Sequence, residues 1–332
     1  MTQVNKQITV SSFPEAWVTE SNFKLVESPI PSPKDGQVLV KNEWLSLDPY
    51  MRGRLSKSKS YAAGVEIGDV MVGGTVGTVI ESKSSKFKVG DQVVGMLGWQ
   101  LFGVANENEI SKIDTSKVPG SAYLGVLGMP GVTAWTGLID ICQPKAGETV
   151  VVDAASGAVG SVVGQLAKAK GCRVVGIAGG KDKCDYVVKE LGFDVCIDHR
   201  SASFKEELKE ALPKGIDCLF ENVGGEIFEN LLSIMNPFSR IALCGLVSEY
   251  NVEPHAYSNL RFILINRIKI QGFIVSDKPA TWPSIIQSLH DEVACGRLKF
   301  KETVATGIEN APSAFIGLLK GQNFGKQLVR LS

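Results

Sequence analysis

The chain has 332 residues, 44% of them apolar and 21% charged. That is more chain than one ordinary hydrophobic core holds, in a composition close to that of average globular proteins. Its 35 Lys and Arg balance 35 Asp and Glu, so a nucleic-acid partner, which calls for a basic excess, is not expected.

Residues 1–125 carry short β-type runs broken by Gly and Pro. Gln37 to Lys41, Gly73 to Ile80 and Asp91 to Met96 are three of them. Pro29 to Gly36 is a turn cluster, and many short strands with such punctuation predict a β-rich barrel or sandwich. The pattern changes near Gly128-Met129-Pro130-Gly131. From there strands are predicted at 149–153, 172–178, 194–198, 216–221, 241–244 and 269–275. Helices are predicted between them at 158–170, 181–191, 204–212 and 226–235, and a further one at 282–295. This alternation predicts a doubly wound parallel sheet. Residues 299–332 return to short mixed elements.

No window approaches the roughly 20 apolar residues of a membrane helix, and residues 1–12 lack a signal-peptide core. A cytoplasmic protein with no membrane partner is expected. The seven cysteines contain no Cys-x-x-Cys spacing and sit mostly in apolar runs, so they read as reduced, buried thiols.

The strongest local signal is Ala154-Ala155-Ser156-Gly157-Ala158-Val159-Gly160, between a predicted strand and a predicted helix. It fits G-x-G-x-x-G with Ala155 at the first Gly position. Gly157 would let the backbone approach a pyrophosphate, and Gly160 would let helix and strand pack closely. The end of the second strand selects the dinucleotide. It reads Ala178-Gly179-Gly180-Lys181-Asp182-Lys183 and has no carboxylate at the strand end. A carboxylate there would repel a 2′-phosphate and Lys would attract it, so NADP(H) is preferred over NAD(H). Lys181 and Lys183 read either as phosphate partners or as surface charges. His199-Arg200 is a second cationic candidate.

With these residues in place the chain resembles the zinc-independent medium-chain dehydrogenase/reductases. Within them it is similar to the prostaglandin reductase, leukotriene hydroxydehydrogenase and alkenal double-bond reductase group, and most of all to bacterial NADPH-dependent curcumin reductases. The resemblance spans essentially the whole chain. Besides the 154–160 turn it is carried by Leu47-Asp48-Pro49-Tyr50-Met51-Arg52, Met129-Pro130-Gly131-Val132-Thr133-Ala134, Glu221-Asn222-Val223-Gly224-Gly225, Cys244 to Asn251, Gln271 to Val275 and Asn323-Phe324-Gly325-Lys326. It implies a Rossmann doubly wound parallel sheet inserted into a GroES-like β-barrel catalytic domain. The catalytic domain is expected at 1–128 and 299–332, with the NADP-binding domain at 129–298. A homodimer is implied, with the 269–275 strand and the segment before it as interface pieces.

The resemblance also assigns cofactor contacts. Ser156, Gly157, Ala158, Val159 and Gly160 hold the pyrophosphate. Gly179, Lys183 and His199 lie at the adenosine end. Asn222, Cys244, Gly245, Leu246, Val247, Ser248, Tyr250, Phe273, Ile274, Val275 and Asn323 line the path toward the nicotinamide, with Thr133 at that end. Two departures stand out. Relatives usually carry Tyr where this chain has His199, and the place of a Tyr proposed as catalytic in plant members is Ile265.

Zinc-dependent relatives carry a Gly-His-Glu block and a Cys in the barrel. Here that block reads Gly73-Gly74-Thr75-Val76-Gly77, and no His or Cys precedes Cys142, so no metal is expected. The chemistry predicted is reduction of the carbon–carbon double bond of α,β-unsaturated ketones or aldehydes, acting on hydrophobic conjugated carbonyl compounds. Hydride goes to the β-carbon and a hydroxyl stabilises the enolate oxygen. Tyr250 and Tyr50 are the candidate donors. Arg52 reads as a structural or dimer-facing cation, His255 as an exposed loop residue and His290 as helix surface. Quinone reduction is the alternative reaction, and non-catalytic NADPH binding the alternative of another class.

Overall fold

The computed structural model describes residues 4–331. Its contacts divide the chain into two units, Met1–Gly125 with Glu302–Ser332, and Val126–Lys301. In the first, β1 (Asn5–Val10) and β2 (Phe23–Ser28) pair antiparallel, with Asn5 opposite Ser28. There follow β3 (Gln37–Ser46), a single helical turn α1 (Met51–Arg54), β4 (Thr75–Ser82), β5 (Gln92–Gly95), β6 (Phe102–Asn106) and β7 (Ile110–Lys112).

The second unit opens with α2 (Met129–Trp135), which widens into a π-helical stretch at Thr136–Cys142. It continues through β8 (Thr149–Val152), α3 (Gly160–Ala169), β9 (Arg173–Ala178), α4 (Lys181–Lys189), β10 (Val195–Asp198), α5 (Phe204–Ala211), β11 (Ile216–Glu221) and α6 (Gly225–Leu232). It closes with β12 (Met235–Leu243), α7 (Arg261–Asn266), β13 (Lys269–Gly272) and α8 (Trp282–Ala294). The six strands run β10-β9-β8-β11-β12-β13, and every pairing is parallel. All four β8 residues, Thr149-Val150-Val151-Val152, are buried, as a central strand covered on both faces requires. The chain winds outward from β8 in one direction and from β11 in the other. The point where strand order reverses therefore lies between their C-terminal ends, where such sheets bind ligands.

The last segment, β14 (Glu302–Thr306), α9 (Ala311–Leu319) and β15 (Lys326–Arg330), rejoins the first unit. Its sheet runs β14-β15-β3-β4-β5-β7, with β6 also on β3. Trp99 explains the return. It stacks on Phe23 at 5.3 Å between ring centroids and meets Phe315 of α9 edge-on at 5.7 Å. Fully burying such a side chain contributes about 1.5–3 kcal/mol, and Trp99 and Phe315 are both wholly enclosed. The chain is thus an α/β protein with a Rossmann-type parallel sheet inserted into a mostly antiparallel, GroES-like unit, in which, among the described residues, only β14 and β15 pair parallel.

Three predicted boundaries move. The helix expected from 158 starts at Gly160, because Gly157 N–H donates to Ala154 O at 2.8 Å and closes a turn first. The fifth parallel strand begins at Met235, not 241. It takes in Pro237 and Phe238 beside a register shift between Ile216 and Cys218, which relieves the missing proline donor. The sixth strand ends at Gly272, and Val275–Asp277 form a single turn.

Candidate cofactor and active site

The β8–α3 turn is shaped by close approach. A Cβ on Gly160 would sit 2.5 Å from Ala154 O, which is backbone and cannot yield. Ala154 itself adopts φ 44°, a left-handed conformation costly for a residue with a side chain. A Cβ on Gly157 would meet only Ala154 O, at 3.1 Å, and otherwise open space. Ala155 and Ser156 are buried, while Gly157, Ala158 and Val159 are half-buried. The turn therefore presents a backbone face at the first turn of a ten-residue helix, where unpaired N–H groups and the positive dipole end favour a pyrophosphate.

Cations gather at the end of β9. A Cβ on Gly179 would lie 2.8 Å from His199 Nε2 and 3.1 Å from Arg200 Nε, so both side chains close over the glycine. Gly180, at φ 96°, starts α4 and brings Lys183 to the same place. Burial lowers the Lys183 ammonium from its ordinary value and the Arg200 guanidinium lowers it further. Burial and Arg200 likewise lower the His199 imidazole, which keeps it neutral at pH 7. Asp198 orders the turn, with Oδ1 accepting Gly180 N–H at 2.8 Å and Arg200 N–H at 3.0 Å. Burial alone would raise its carboxyl, but these two donors outweigh that and hold it below the ordinary range. The mutually repelling Lys183 and Arg200 fit a dianionic phosphate. Lys181 is not part of this cluster. Its ammonium lies 2.6 Å from Asp185 on an exposed face.

Asp153 directly follows β8 and Glu221 ends β11, the two strands flanking the reversal point, and both are fully buried. Asp153 Oδ1 accepts Asn222 N–H at 2.7 Å, and Oδ2 accepts Val223 N–H at 3.2 Å. Glu221 Oε1 accepts Val223 N–H at 2.8 Å and Gly224 N–H at 2.6 Å, while its Oε2 meets no N–H donor. Burial, then the Asp153 charge, raises Glu221 well above the carboxylate range, and its side chain hydrogen-bonds Asp153. Glu221 Oε2 is the carboxylate oxygen with no N–H donor, so the shared proton sits there, directed at Asp153. This pair fixes the loop from Asn222 to Gly225. Asp153 directly after the apolar run Val150-Val151-Val152 was the sequence signal for it.

That loop in turn sets the 244–250 segment. Cys244 N–H donates to Glu221 O at 2.9 Å, Val247 N–H to Asn222 O at 3.1 Å and Ser248 N–H to Val223 O at 2.9 Å. Ser248 Oγ donates to the same Val223 O at 2.6 Å. Burial, with Asp153 and Glu221 nearby, pushes the Cys244 thiol up to about 12, so it is a neutral thiol. Tyr250 folds back on the segment, and a Cβ on Gly245 would lie 3.4 Å from its Oη. Leu246 is half-buried. Tyr257, which the sequence did not single out, braces the loop by accepting Gly225 N–H at 3.0 Å and donating to Glu249.

The remaining predicted residues are distributed as follows. Thr133 is buried on α2 with its hydroxyl donating to Met129 O at 2.7 Å. Phe273 meets Phe220 edge-on at 6.3 Å, and Ile274 and Val275 follow it beyond β13. Asn323 lies in the first unit, lining a groove between α9 and β14, and donates to Gly325 O at 2.7 Å. Tyr50, also in the first unit, precedes α1. Burial, then the Asp48 charge, raises its phenol far above the ordinary range. Arg52 donates to Ala16 O at 2.9 Å, a structural contact. His255 is pinned through Nε2 to Glu229. His290, expected on the helix surface, instead keeps both ring nitrogens out of solvent. Ile265 is half-exposed on α7. Among the described residues no three His, Cys, Asp or Glu side chains gather so as to hold a metal ion.

Comparison with known proteins adds to this geometry. Residues 6–113 match the family model described as the N-terminal domain of oxidoreductase, and residues 158–291 that described as zinc-binding dehydrogenase. The chain is 46% identical to the NADPH-dependent curcumin reductase of Escherichia coli (strain K12), covering 99% of this chain and 98% of that protein. It is 40% identical to the NADP(+)-dependent 2-alkenal reductase of Nicotiana tabacum, covering 99% and 98%. The crystal structure of CurA in complex with NADPH from Vibrio vulnificus superimposes with a TM-score of 0.94 at 46% identity, over 98% of this chain and 99% of that one.

Proposed function

Because the chain belongs to the zinc-independent medium-chain dehydrogenase/reductase family, we propose that it is an NADPH-dependent reductase of the carbon–carbon double bond in hydrophobic α,β-unsaturated ketones and aldehydes. The observation that carries the cofactor choice is the pair of cations at the end of β9, Arg200 over Gly179 and Lys183 beside it, with the neutral His199 alongside and no carboxylate at the strand end. The chemistry NADPH supplies when bound is a hydride for the substrate's β-carbon.

In this reading the chain's own residues divide the work. Ser156 to Gly160 bind the pyrophosphate through the backbone, and Lys183 with Arg200 binds the 2′-phosphate. Asp153 and Glu221 hold Asn222 and the 244–250 segment in position along the cofactor path. Tyr250 is the proposed hydroxyl donor to the developing enolate oxygen, and Tyr50 the second candidate. A phenol raised as far as that of Tyr50 stays protonated, as a donor must.

The same reading makes the chain a homodimer. It is supported by the exposed apolar side chains Leu260, Leu264 and Ile265 beside β13, an edge strand of its sheet. Seven free cysteines fit the reducing cytoplasm, and no helix among the described residues is long and apolar enough to cross a membrane.

The test uses NADPH deuterated at the transferable position with a simple enone. Label at the β-carbon, with the carbonyl intact, supports the reading, and label on the carbonyl carbon overturns it.

A further inference from the structure

Four of the seven cysteines form two thiol–thiol pairs, and the pairs differ in access. Cys142 and Cys218 hydrogen-bond each other inside the second unit, both with no exposed surface. Cys184 and Cys196 also hydrogen-bond each other, but both are half-buried. The fold explains their meeting. Val195 and Ile197 of β10 pack with Leu208 and Ala211 of α5, so strand alternation turns Cys196 and Asp198 to the opposite face. That face carries α4 and Cys184.

The pair adjoins the residues of the cation cluster along α4 and β10. Cys184 follows Lys183 and hydrogen-bonds the backbone of Ala178, the last residue of β9. Cys196 stands two residues before Asp198, whose carboxylate orders Gly180 and Arg200.

We propose that Cys184 and Cys196 are a modification site, joined in an intrachain disulfide by a hydroperoxide, and that this bond and a 2′-phosphate at Lys183 and Arg200 oppose each other. The coupling half rests on the cofactor reading above. Cys184 sulfur attacks a peroxide oxygen, the O–O bond breaks, and a sulfenic acid forms with release of water or an alcohol. Cys196 sulfur then attacks the sulfenic sulfur, its thiol proton leaves with the hydroxyl as a second water, and the S–S bond forms. The two thiols lose two electrons and two protons, and the peroxide is reduced by the same two electrons. Cys184 is the less buried of the two, so peroxide reaches it first and Cys196 is the resolving sulfur. An S–S bond of about 2.05 Å is much shorter than a thiol–thiol hydrogen bond, so closing it draws the first turn of α4 toward β10 and carries Lys183 with it.

The experiment treats the reduced full-length protein with hydrogen peroxide and maps disulfides by peptide mass under non-reducing conditions. A Cys184–Cys196 crosslink is expected in the wild type, absent from Cys184→Ser and Cys196→Ser, with Cys142 and Cys218 unlinked. Oxidation should weaken NADPH binding about tenfold, reversibly on addition of dithiothreitol, and NADH binding far less. The nucleotide 2′,5′-ADP should slow the crosslink where 5′-AMP does not. The proposal is overturned if peroxide oxidises exposed Cys295 and leaves Cys184 and Cys196 unlinked. It is also overturned if the crosslink forms without change in NADPH affinity. Lys183→Ala and Arg200→Ala separate the two readings. If they weaken NADPH binding while oxidation does not, the dithiol proposal alone fails. If they do not weaken it, the phosphate assignment fails.

Discussion

Lys326 and Asp48 form an ion pair across 278 positions of sequence, with Nζ 2.8 Å from Oδ1 and both side chains almost wholly buried. The ammonium also donates to Leu47 O at 2.6 Å, and Ser46 Oγ donates to the Asp48 carboxylate. Two sequence blocks, Leu47 to Arg52 and Asn323 to Lys326, therefore meet at one point, beside β3 and β15 where Leu328 faces Ser46. Burial pulls the Lys326 ammonium below its ordinary value, and Asp48 opposes that pull.

Removing one partner of this pair strands the other. Lys326→Met is expected to cost about 3–5 kcal/mol, because a buried carboxylate loses its counter-charge. Urea unfolding measures it, and the double variant Asp48→Asn/Lys326→Met should recover part of the loss. Additive losses would show that the two residues do not interact.

Lys183→Ala should weaken NADPH binding by roughly tenfold to a hundredfold, the scale of one charge-assisted hydrogen bond of about 1.5–3 kcal/mol. NADH binding should barely change. Calorimetry with both nucleotides checks this, and equal losses for the two would remove the 2′-phosphate from Lys183.

Glu221→Gln replaces a protonated acid with a neutral amide that can make the same donation to Asp153. The folded chain holds a proton on Glu221 that the unfolded chain releases above the ordinary value of 4.5. Wild-type stability must therefore fall as pH rises from that value toward the raised one, by up to about 1.4 kcal/mol per pH unit. The variant should show a flatter profile as pH rises above about 5, read by urea unfolding at each pH. Parallel profiles would place the proton elsewhere.

Tyr250→Phe is expected to lower kcat by about a hundredfold or more while leaving NADPH affinity nearly unchanged, as loss of a general acid does. Tyr50→Phe should have the smaller effect. If neither change lowers kcat in single-turnover reactions with an enone, the hydroxyl donor lies outside these two residues.

The sequence by itself determined the alternation of apolar runs and helical stretches, and hence the parallel sheet. β8 is legible because a strand buried on both faces must be almost wholly apolar. It also determined the glycines of the β8–α3 turn and the missing carboxylate after β9, since both are local requirements of backbone and charge. Local rules did not reach the start of β12, which depends on a register shift against β11. Nor did they reach the partners of the charged groups. Lys181 and Lys183 look alike along the chain, yet one pairs with Asp185 at the surface while the other joins Arg200 near Gly179. Asp153 and Glu221 acquire their shared proton only because parallel strands bring their ends together out of water. Sequence patterns record what each element buries. Which polar groups meet inside, and in what protonation state, is decided by distance and desolvation, and these exist only in the folded chain.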